Sequence, residues 1–267
     1  GIFLIWQGMI GAVSVFDVLD DEYVEVVVND VVDCSDVAEL NDVVVEDIAH
    51  DENDKIIEDT QTEQLEQIKE LPEKINLPVP FTSQAPEKNW EQPWQDACEE
   101  AAVLMLDAYY KDYGLSPLFS KDEILKMVEW EDDLGWGYSI EANDVAKLVD
   151  WYGGKYKHLN TQTFKQLRII KDPDVEEIKK FVAGGDPVLV LAYGKDLPNP
   201  NFTNGGPEYH ALIIRGYDDE TGEFITNDPG TQFGENFRYK YDDLMNAIHD
   251  WNNGQVSEGR KVVIVVE

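Results

Sequence analysis

The chain is poor in cysteine. Two, Cys34 and Cys98, stand among 267 residues, so a disulfide framework is excluded and each thiol must be judged by its surroundings. Basic residues are also few: 21 Lys and Arg face 55 Asp and Glu, a formal charge of -34. Such a surface repels phosphates and anionic headgroups, which excludes nucleic acid as a partner. Long apolar runs are scarce too. Residues 1–16, GIFLIWQGMIGAVSVF, carry no charged side chain but fall short of the ~20 residues of a spanning helix. They are read as the end of a membrane anchor or a signal-peptide remnant. Membrane contact is expected through this segment only, and the chain is expected to work outside the cytoplasm, membrane-anchored or secreted. Oligomeric state is not legible.

The next stretch lacks glycine and tryptophan. From Asp17 to Lys74 it holds 21 acidic residues against three lysines. High like charge with few aromatics describes a solvated spacer, so residues 17–76 are read as an acidic linker. Short valine-rich strands are possible within it.

From about Ile75 the composition changes, and six of the seven tryptophans follow. Residues 77–267 read as one domain. Helical periodicity marks four helices: from Ala97 to Tyr110, after Ser120, after Ser139, and from Val175 to Ala183. Asp96 with Glu99, and Ser120 with Glu123, have the spacing of capping boxes. Strands follow at PVLVLAY, YHALIIRGYD, EFITNDP and KVVIVVE. Helices first and strands after is an α+β order.

Cys98 falls at the start of the first helix, where partial positive charge favours a thiolate. Downstream, a hairpin carries a histidine and an aspartate. With a five-residue loop, Asp218 to Gly222, His210 lies opposite Gly230 and Leu212 opposite Asp228. Asp228 is then a same-face neighbour of His210. A loop of two or four residues would bring Asn227 to that face instead. Thiol, imidazole and carboxylate together form a nucleophilic set: sulfur attacks a carbonyl, His moves the proton, Asp orients His. The Cys98 N–H is one oxyanion donor, and Gln84, Gln92 and Gln95 are candidates for a second. His50 lies in the spacer, His158 reads as a surface residue and His249 sits near a helix end. The acidic turn after Tyr217 lacks the spacing of a calcium loop. No metal or cofactor is expected.

The stretches VPFTSQAP, ACEEA opening a helix, YHALIIRGYDD and ITNDPG together resemble the bacteriocin-processing, double-glycine-type peptidases and their relatives, which are papain-like cysteine peptidases. The resemblance spans roughly residues 77 to 232. It implies a papain-like fold, an N-terminal helical half packed on a C-terminal antiparallel sheet. It also implies Cys98 as nucleophile, His210 as base, Asp228 as orienting acid and Gln84 as oxyanion donor, acting on a peptide or protein substrate. Glu99-Glu100 stand where many relatives carry Gly-Pro, and two acids beside a thiol raise its pKa. Gln92 sits at the closer, papain-like spacing from the cysteine. Alternatives that keep the same residues are acyl transfer to an amine and cleavage of cell-wall peptides. A peptide-binding module with an unreactive cysteine is the alternative from another class.

Overall fold

The computed structural model describes residues 71–155 and 166–266, together with three strands before them. The chain divides into two units, residues 1–68 and 69–267. In the first, β1 (Phe3–Leu4), β2 (Val13–Leu19) and β3 (Glu22–Val28) form an antiparallel sheet in that order. The valine-rich stretches VSVFDVL and EYVEVVV have the β-branched composition of strands. The remainder of the expected anchor and of the expected linker, up to residue 70, lies outside the described residues. Among the described residues no helix is long and apolar enough to cross a membrane.

The second unit opens with β4 (Lys74–Asn76). Its helices are α1 (Cys98–Tyr110), α2 (Pro117–Leu134), α3 (Ala142–Lys155) and, after β5 (Leu167–Lys171), α4 (Val175–Gly184). Then come β6 (Val188–Ala192), β7 (His210–Asp218), β8 (Glu223–Asn227), β9 (Phe237–Lys240), a short α5 (Tyr241–Ala247) and β10 (Val262–Val266). The sheet runs β5-β10-β6-β7-β8-β9, every pairing is antiparallel, and β4 adds to β7. The expected α+β order holds.

Helix α1 is apolar all round, from Ala101 to Leu106, and is buried accordingly. It packs on β6 and β7 and is flanked by α2 and α3. The helix starts differ from expectation. Ala97 occupies the α1 N-cap without a side-chain bond, because Asp96 accepts from Gln92 instead. Helix α2 begins earlier than read, at Pro117, with Ser116 as cap to the Phe119 N–H. Helix α3 runs through Gly153-Gly154.

The hairpin is also corrected. Asp218 pairs with Glu223, so the loop has four residues, 219–222. Alone, that would turn Asn227 toward His210. Arg215, however, is an extra residue, a β-bulge between Ile214 and Gly216 that shifts the register. Beyond it Ile213 pairs with Asn227, and one further step sets Asp228 opposite Leu212. The sequence-predicted register near His210 therefore stands, with bulge and shorter loop cancelling in parity.

The bulge is packed on the entry segment. Gly216 pairs with Asn76, and the Leu77 N–H donates to the Arg215 carbonyl at 2.7 Å. A Cβ on Gly216 would stand 2.3 Å from the Ile75 carbonyl oxygen, backbone that cannot yield cheaply. Gly216→Ala is expected to destabilise the domain by roughly 1–3 kcal/mol, seen as a lower urea midpoint. A midpoint equal to that of the parent would refute the close approach of β4.

Candidate active site

Each candidate side chain is positioned by a different element. His210 opens β7, and its neighbour Ala192 across the ladder ends β6. Its Nε2 lies 2.7 Å from Asp228 Oδ1, with both residues fully buried. Asp228 follows β8, at the start of the Asp-Pro-Gly turn. Its Oδ1 also accepts the Gly230 N–H at 3.0 Å, and its Oδ2 accepts from the Tyr239 hydroxyl at 2.5 Å and from Asn199 Nδ2 at 3.0 Å. Burial would raise the Asp228 pKa, but His210 and these donors outweigh it and hold the carboxyl below its ordinary range. Gly230 closes over the imidazole: a Cβ there would meet His210 Cε1 at 2.7 Å. Phe202 meets the same ring edge-on, 5.4 Å between centroids.

Cys98 is the first residue of α1 and is buried. Ala211, next to His210 in the chain, lies on β7, on which α1 packs. The thiol itself donates to Glu99 Oε2 at 2.8 Å. Burial pushes the thiol pKa well up, Glu99 and Glu100 push it further, and the Ala211 backbone opposes them. The expected thiolate-favouring effect of the helix start is outweighed here.

Behind the cysteine lies a buried group of acids. Glu99 Oε1 accepts the Ile140 N–H at 3.3 Å. Glu131 faces Glu100 and raises its pKa. Burial raises Glu99 to about 7 and, with Glu99 beside it, Glu131 to about 8. Burial and Glu131 together raise Glu100 well above the carboxylate range.

Gln84 is buried on the segment that precedes α1. Its Nε2 donates to the Trp94 and Gln95 carbonyls at 3.0 and 2.9 Å, and its Oε1 is without a hydrogen-bond partner. Two carbonyl acceptors fix which end of the amide is nitrogen. Gln92 is exposed and donates to Asp96, and Gln95 is exposed. His249 bonds the Gly259 carbonyl through Nδ1. His50 and His158 lie outside the described residues.

The segment around Gln84 is laced to the segment around Asp228. Asn227 Nδ2 donates to the Val79 and Pro80 carbonyls, the Gln84 N–H and the Ser83 hydroxyl to the Pro229 carbonyl, and Gln232 Nε2 to Ser83 Oγ and the Ala85 carbonyl. Asn227 thus serves the face opposite His210. Asn199 and Tyr239 were not singled out from sequence. Nothing local distinguishes an asparagine in LPNPNF or a tyrosine in FRYKY, whose partners are chosen by the fold.

A family model described as Peptidase_C39-like matches residues 76–256. Among solved structures, a protein described as a C39-like peptidase from Bacillus anthracis aligns at 16% identity with TM-score 0.47, covering 73% of this chain and 98% of that one. Xylellain, a cysteine protease from Xylella fastidiosa, aligns at 16% identity with TM-score 0.34, covering 75% and 87%. Comparison with curated proteins gives no match.

The raised acids carry a stability consequence. A folded-state carboxyl with an elevated pKa contributes stability that is complete below its unfolded value and is lost as pH rises through the folded one. For Glu99 and Glu131 that window runs from 4.5 to about 7 and about 8. Glu131→Gln keeps the size of the side chain and cannot ionise. It should raise the melting temperature by roughly 4–8 °C at pH 8.5 and change it little at pH 5. An equal effect at both pH values would refute the assignment.

Proposed function

Because the chain belongs to the Peptidase_C39-like family and is a cysteine peptidase, we propose that it cleaves peptide bonds through Cys98, His210 and Asp228. The observation that carries this reading is the buried His210–Asp228 pair, with the helix that Cys98 opens packed on the strand that His210 opens. His210 meets Asp228 through Nε2, which leaves Nδ1 as the nitrogen that exchanges a proton with sulfur. The thiol proton passes to Nδ1 and the thiolate attacks the substrate carbonyl. The tetrahedral oxygen is met by the Cys98 N–H, which has no intrahelical acceptor. Nδ1–H then protonates the leaving amine, and water hydrolyses the acyl-thioenzyme with His210 again as base. Asp228 holds the ring and stabilises the imidazolium. Gln84 is the second oxyanion donor on this reading, exchanging one of its two carbonyl partners for the oxyanion.

The substrate class is a peptide or protein. An extracytoplasmic setting, with residues 1–16 as anchor or signal remnant and 17–76 as spacer, is supported by composition alone. The test is cleavage profiling on a peptide library. Cys98→Ala and His210→Ala should each lower turnover by ~10³-fold or more, with circular dichroism unchanged. Cleavage by Cys98→Ala at the parent rate would refute the nucleophile.

A further inference from the structure

We propose that Glu99 is a positioning residue that decides whether the Cys98 proton is available to His210, so that the peptidase works with Glu99 protonated. The proposal rests on Cys98 being the nucleophile. Its geometric basis is the bond from the thiol to Glu99 Oε2 at 2.8 Å, with Glu99 Oε1 held by the Ile140 N–H. Both side chains are buried, so Glu99 is fixed between α1 and the loop before α3. A thiol whose hydrogen points at a carboxylate is not donating to an imidazole.

The titratable groups facing Glu99 come from four places. Cys98 and Glu100 share its helix, Glu131 comes from α2, Tyr209 precedes β7 and His210 opens it. Of these His210 alone brings positive charge when protonated. Tyr209 is fixed by its own bond to the Ile140 carbonyl at 2.8 Å, so Ile140 ties both residues to one loop.

The proton balance gives the mechanism. With Glu99 ionised, moving the thiol proton to His210 would leave a thiolate and a carboxylate side by side in a buried site, and like charges there repel strongly. The thiol therefore keeps its proton. When Glu99 takes one proton from solvent, its O–H can donate to sulfur. The thiol proton then passes to His210, giving a thiolate–imidazolium pair beside a neutral carboxyl. One proton enters and one moves. Burial lifts Glu99 to about 7, so the reactive form is lost as pH rises through that value. An ordinary thiol shows the reverse, reacting faster as pH climbs toward about 8.5.

The experiment is iodoacetamide alkylation of Cys98 across pH 5.5–8.5 in the full chain, with Cys34 as internal comparison. Wild-type Cys98 should react several-fold faster at pH 6 than at pH 8.5. Glu99→Gln keeps an oxygen for the Ile140 N–H and places an N–H donor at sulfur without ionising. It should abolish the alkaline fall and raise the rate at pH 8.5 several-fold over wild type. A wild-type rate that climbs through pH 7 like that of Cys34, or a Glu99→Gln profile identical to wild type, would overturn the proposal. If Glu99→Gln does not fold, the wild-type profile alone decides. Library cleavage that survives Cys98→Ala overturns the nucleophile itself. Cleavage lost in Cys98→Ala together with an unaltered Glu99→Gln profile overturns only the role of Glu99.

Discussion

One extra residue in β7 governs which side chain meets His210. Side chains alternate across a strand, so a register moved by one exchanges every face. With its four-residue loop the hairpin would offer His210 an amide, Asn227, which cannot stabilise an imidazolium as a carboxylate does. The bulge at Arg215 restores the parity and offers Asp228. It also turns Asn227 to the far face, where Arg215 Nη1 and the Asn236 N–H donate to its oxygen. From there Asn227 holds the Val79 and Pro80 carbonyls. The Arg215 guanidinium adds a bond to the Leu77 carbonyl at 2.8 Å. A single bulge thus fixes the carboxylate beside His210 and the path of the segment leading to Gln84.

The same site holds carboxyls in two opposed environments. Asp228 is surrounded by donors, and although fully buried it stays below its ordinary pKa. Glu99, Glu100 and Glu131 are buried against one another and rise. Burial is common to all four, so the difference comes from what each faces: an imidazole, a phenol and amides on one side, other acids on the other. Environments that separate the pKa values of neighbouring acids allow one to remain charged while another holds a proton at neutral pH. At Cys98 the helix start competes with burial and with Glu99. Burial and Glu99 prevail because they act at contact distance in a buried site, whereas the helix contributes only partial charge.

The residues proposed to react are legible in the sequence because their signals are local. A thiol at a helix start, a histidine opening an apolar strand and an aspartate before Pro-Gly are each read within a few residues. The order of helices and strands was legible for the same reason. The loss of the capping box expected at Asp96 was not, because Glu99 is drawn into tertiary bonds with Cys98 and Ile140 rather than back to the chain. Nor was the bulge, whose only trace is Gly216 after a buried arginine, a glycine required by the close approach of β4. Asn199 and Tyr239 reach Asp228 across 29 and 11 residues of chain, and no periodicity encodes such contacts. The loop length was misread, and the register near His210 was right only because the bulge compensates.

Gln84 shows how a motif can be legible while its role depends on geometry. In the structure both of its N–H groups are engaged by the Trp94 and Gln95 carbonyls, which brace the turn leading into Cys98. Turning one of them to an oxyanion gives up a neutral hydrogen bond, a net loss of about 0.5–1.5 kcal/mol. The bond gained is to a full negative charge, and such bonds are about twice as strong. The exchange is therefore unfavourable toward a neutral substrate carbonyl and favourable once charge has developed on its oxygen. An interaction with that dependence lowers the barrier without tightening ground-state binding, which is the condition for accelerating the chemical step.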